Sequence, residues 1–163
     1  MLRAHASAGA PALTAADFAN SPALRQRIVN ELRKTTRKAD EVAELLEEGK
    51  VGLNFLGDDL FRYLGHSDSN AIYNPATRQI YLRRSDPNFF STVVHEGTHA
   101  LDHANRASRT LFSLELRAHL FQRQYEMFVN GFSARYPTIK SVWDRVLADY
   151  ASPLLHKIFQ WPN

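Results

Sequence analysis

An apolar stretch from Phe89 to Ala104 is interrupted by side chains that apolar surroundings penalise: His95, Glu96 and His99. Phe89, Phe90, Val93, Val94, Ala100 and Leu101 give the rest of the segment the pattern of a largely buried helix. Buried Glu and His are costly unless they are paired or bound to a metal. Any fold of this chain must therefore bring partners to that helix. Residues four apart share a helix face, with Cβ atoms about 5–6 Å apart. The rings of His95 and His99 can then reach one ion, at roughly 2.0–2.1 Å for each zinc–nitrogen bond. Glu96 stands one step further round. It misses the ion but reaches a water beside it, where a general base belongs.

A structural zinc site fills all four positions with Cys and His. The chain has no cysteine and seven histidines, so three protein ligands and a water fit better. His103 is four after His99, but about 12 Å of helix rise separates it from His95. The longer pattern that ends in a third histidine is absent, because Asp102 and Asn105 hold its Gly and His positions. Glu115 is the better third ligand. Residues 105–110 break the helical pattern, and a second helix runs from about Leu111 to Asn130, ending at Gly131. Helices joined by a short connection pack antiparallel. With the turn near Ala107, His99 lies eight residues before it and Glu115 eight after, while His95 is level with His119. Ala118 would let the helices approach closely. Glu126, three turns deeper, is the reserve ligand. His119 can accept from His95, touch substrate or sit in the core, and Asp102 is either an outer-shell acceptor or a solvated charge.

The pair His95-Glu96-x-x-His99 and Glu115-Leu-Arg-Ala118-His119 resembles the gluzincin branch of zincin metallopeptidases over roughly residues 50–130. One departure is His119, where thermolysin-like members carry an Asp. The resemblance implies a zincin-like fold, a Zn²⁺ cofactor, a protein or peptide substrate and endopeptidase activity, with Glu96 as general base. It also implies that Ile80, Tyr81 and Leu82 form an edge strand lining the cleft. In size the chain is similar to small bacterial effector and toxin domains, which implies an inhibitory partner protein. An oxyanion-stabilising group is needed as well. Tyr150 is the first candidate, followed by Tyr136, Arg145 and His156. Two alternatives from other classes stay open: a zincin-like binding module with a structural metal, and a hydrolase of a non-peptide amide.

The remaining sequence bounds these readings. A chain of 163 residues with 44% hydrophobic and 23% charged content reads as one globular domain. Residues 1–14 are expected to be a flexible segment and 15–163 the metallopeptidase domain. No run is long enough to span a membrane, and the N-terminus lacks the apolar core of a signal peptide. Without cysteine there are no disulfides. The expected location is the cytoplasm, or another cell reached by a non-classical route. The net charge is +3, and the cluster Arg25, Arg27, Arg33, Lys34, Arg37 and Lys38 reads as a solvated helix face. Neither a nucleic-acid nor a membrane partner is expected.

Ser21-Pro22 opens a helix to about Lys34, and Thr36 opens another ending near Gly49. Residues 51–56 read as a strand and 58–64 as a short helix. Residues 71–74 and 79–83 flank a turn at Pro75, as a hairpin. Ser85-Asp-Pro87 starts the motif helix, and later helices are expected at 138–150 and after Pro153. This order predicts an α+β fold, mostly helical with a small mixed or antiparallel sheet.

Overall fold

The structure, a computed structural model, describes residues 22–107 and 110–150. The expected flexible segment 1–14, the helix after Pro153 and His156 lie outside the described residues. The fold is α+β, with six helices and one three-stranded mixed sheet among those residues.

Local chemistry sets the element ends. Helix α1 (Pro22–Arg33) begins at its proline, and α2 (Arg37–Glu47) is capped by Thr36, whose side chain accepts from the Ala39 N–H. Strand β1 (Gly52–Leu56) and the short α3 (Asp58–Tyr63) follow. Strands β2 (Ala71–Asn74) and β3 (Gln79–Arg83) form the hairpin. The motif helix α4 runs Phe89–Ala104, and α5 runs Leu111–Asn130. Thr110 caps α5 at its start. Gly131 ends it with φ 76°, a left-handed conformation that glycine adopts without a Cβ clash. Helix α6 (Ile139–Tyr150) completes the described chain. The start of α4 rests on Asp86, which accepts from the Asn88 N–H at 2.9 Å and the Thr92 hydroxyl at 2.6 Å.

The sheet corrects one expectation. Its order is β1-β3-β2, so β3 is the middle strand and not an edge. β1 pairs with it in parallel and β2 antiparallel. Ile80 and Leu82 therefore face the core and are fully buried. The reason is non-local: β1 pairs with β3 across a register of 27 residues and covers the flank that a lone hairpin would leave open. The edge on the α4 side is β2.

Helix α4 packs against α2, α5, β2 and β3 at once. Val93, Val94 and Ala100 lie in one core with Leu32, Val42, Leu46, Ile80 and Leu82. At Gly97 the α2 approach is so close that an added Cβ would stand 2.3 Å from Val42 Cγ1. On α5 the buried face is Glu115, Ala118, His119, Gln122 and Tyr125, while Leu111 and Phe128 are exposed. A polar stripe, not the apolar one, is turned toward α4. No helix among the described residues is long and apolar enough to cross a membrane.

Candidate metal centre

The buried helix carries its polar side chains toward one point of α5. His95 Nε2 lies 3.5 Å from Glu115 Oε2, and His99 Nε2 lies 3.4 Å from Glu115 Oε1. The two imidazole nitrogens face each other at 3.3 Å. His119 Nε2 is 3.9 Å from Glu115 Oε2. His95, Glu115 and His119 offer donor atoms all within 4.8 Å of one another, a largely buried group that could hold a metal ion. His95, His99 and Glu115 are the tighter set. Donors roughly 2.0–2.1 Å from an ion at the tetrahedral angle stand about 3.3–3.4 Å apart. The separations in this second set match that spacing, so the geometry favours His99 over His119 as the third near donor.

The electrostatics suit a cation. Burial alone would raise the Glu115 carboxyl, but the His95 and His99 rings facing it outweigh that effect. They hold it well below the usual carboxylate range. Burial also works against a charged His99, yet Glu115, Glu96 and Asp102 together raise its pKa. His119 is pushed down to about 3 by burial and by His95, so it is a neutral imidazole near pH 7. Glu115 Oε2 is buried with no hydrogen-bond partner among the described residues. Such an oxygen costs roughly 1–3 kcal/mol, and a bound cation would offset that cost. His95 Nδ1 has no hydrogen-bond partner among the described residues.

No family model, curated protein or solved structure matches this chain.

Glu96 is buried at the wall of a cleft of about 570 Å³ that His95, His99, Glu115 and Tyr150 also line. Its Oε2 accepts from the Tyr73 N–H at 2.8 Å, which ties α4 to β2. The strand lining this cleft is β2, through Ala71, Ile72 and Tyr73, and Ile80, Tyr81 and Leu82 do not reach it. Tyr150 does, and burial, with Glu115, Asp149 and Glu96 nearby, pushes its hydroxyl up to about 12. Tyr136 stands elsewhere, its hydroxyl 2.8 Å from His119 Nδ1. Arg145 is ion-paired to Asp149 at 2.7 Å and lines a separate cavity with His119. Asp102 is taken up by Arg117, which donates to both its oxygens at 3.1 and 3.2 Å. Glu126 accepts from Gln122 and Ser133, away from the cluster. Sequence reasoning missed Tyr73, whose backbone orients Glu96 and whose hydroxyl is 2.9 Å from His103 Nδ1. Backbone partners leave no residue-type signal.

Proposed function

We propose that the chain is a zinc-dependent endopeptidase whose metal is held by His95, His99 and Glu115. The observation that carries this is the mutual spacing of those donors, 3.3 to 3.5 Å, beside an acidic residue on the cleft wall. An ion there, when bound, supplies a Lewis acid that polarises a carbonyl and acidifies water. The remaining work falls to the chain. The Tyr73 N–H holds Glu96 through Oε2, which leaves Oε1 to take a proton from attacking water. The same carboxyl then delivers that proton to the leaving amine. Tyr150, which lines the cleft, is the oxyanion donor in this scheme. An extended peptide would lie along β2 rather than β3. A role as a bacterial effector or toxin, restrained by an inhibitory partner, is supported only by the resemblance to small domains of that kind.

A binding module with a structural metal has one observation in its favour: Glu96 already ties α4 to β2 and so has a purely structural use. Glu96→Gln separates the two. Its amide oxygen still accepts the Tyr73 N–H but cannot carry the proton. With zinc-loaded protein and a peptide library, the native chain should cleave and the variant should lose at least roughly 10²–10⁴-fold in rate. A variant with native turnover removes Glu96 from the chemistry. A native chain that binds zinc and cleaves no peptide favours the binding module.

A further inference from the structure

We propose that His119 is a fourth protein donor to the metal. This rests on the metal reading above. His119 Nε2 lies 3.9 Å from Glu115 Oε2, and its donor atom is within 4.8 Å of those of His95 and Glu115. The His95 and His119 rings are 4.4 Å apart between centroids. A movement of about half an ångström would bring His119 Nε2 to roughly 3.3–3.4 Å from Glu115 Oε2, the donor spacing expected around a zinc ion. The oxygen that both rings face, Glu115 Oε2, is the buried one that lacks a hydrogen-bond partner among the described residues.

The second nitrogen of His119 is held as a ligating imidazole's usually is. Its Nδ1 lies 2.8 Å from the Tyr136 hydroxyl, a contact that orients the ring. Tyr136 is buried at 3% exposure, although it belongs to the connection between α5 and α6. Two contacts fasten that connection to α5, and one closes it on itself. Arg123 Nε donates to the Tyr136 carbonyl at 2.8 Å, the Tyr136 N–H donates to Ser133 Oγ at 3.0 Å, and Ser133 Oγ donates to Glu126. The segment thus delivers one hydroxyl to one imidazole.

His119 is not among the residues that line the cleft. His119 lines a cavity of about 390 Å³ together with Tyr136 and Arg145, whereas His95, Glu96 and His99 line the cleft. With four protein donors, water or substrate would enter as a fifth ligand, which zinc can accept. His119 would therefore tighten metal retention without closing the site. It also gives a use to the residue four after Glu115, where the sequence departs from the thermolysin-like pattern.

The test loads the full chain with cadmium ion alone and correlates the cadmium nucleus with histidine ring protons by NMR. Ring protons of three histidines, His95, His99 and His119, are expected. The His119 set should vanish in His119→Ala while the other two persist. Correlations from His95 and His99 alone in the native chain would overturn the fourth donor and leave the three-ligand centre intact. A chain that binds no ion overturns both. Tyr136→Phe keeps the ring and removes the hydroxyl, and it should weaken cadmium binding roughly 10–100-fold. Unchanged affinity in a folded Tyr136→Phe protein contradicts the positioning role of Tyr136.

Discussion

Glu115 and His99 share a proton economy that a metal must displace. In the metal-free chain Glu115 raises the His99 pKa above its ordinary value despite burial, so the ring holds its proton to higher pH. A ligating imidazole must be neutral, so metal binding expels that proton. Zinc affinity should therefore fall as pH drops through the raised His99 pKa, above the ordinary imidazole value of about 6.5. Calorimetry in buffers of different ionisation enthalpy measures the released proton directly, and zero release near neutral pH contradicts the coupling. Tyr150→Phe should keep the metal and lower kcat by about 10²-fold if its hydroxyl serves the oxyanion. Steady-state kinetics with unchanged kcat would remove it from the chemistry. At this scale the sequence was legible where spacing on one helix decides geometry, as at His95 and His99. Equal depth across a hairpin also brought Glu115 to them, at 3.5 and 3.4 Å. Tyr73 and Tyr136 were not assigned their contacts, because one acts through its backbone and the other arrives from an irregular segment.

The helix pair α4 and α5 is registered by a buried ion pair. Asp102, 5% exposed, is gripped at both oxygens by Arg117 one turn beyond His99. Asp102→Ala leaves Arg117 half-buried without that partner and should cost about 1–3 kcal/mol, read by urea unfolding. A loss below the error of that experiment would mean the pair is dispensable. Gly97 gives a sign reversal. In an ordinary helix Gly→Ala stabilises by about 1 kcal/mol. Here the new methyl would meet Val42 at 2.3 Å, and overpacking of that kind costs roughly 1–3 kcal/mol. Gly97→Ala should therefore destabilise, and Val42→Ala in the same chain should recover part of the loss. A stabilised single variant contradicts the close α2 contact. The element ends were legible from caps: Thr36 at α2 and Gly131 after α5 sit where their chemistry requires. The sheet order was not. Residues 79–83 alternate like any hairpin strand, and only the non-local pairing with β1 shows that β3 is internal.

At the scale of the molecule, the core is built around a helix whose polar residues need a counterpart, and α5 meets it with its polar stripe. Removing the metal should therefore loosen the whole domain. An ion that binds only the folded chain adds about 4 kcal/mol at a free concentration of 1,000 Kd. For a domain near this size that amounts to roughly 10 °C in Tm. Thermal scans with and without chelator should show the shift, and coincident transitions contradict it. The most direct test of the centre is the number of zinc ions bound per chain after purification without chelators and exhaustive dialysis. The native chain should hold close to one, Glu126→Ala close to one, and Glu115→Ala close to none. A native value near zero, or a folded Glu115→Ala protein that retains its zinc while Glu126→Ala loses it, would contradict the centre described here.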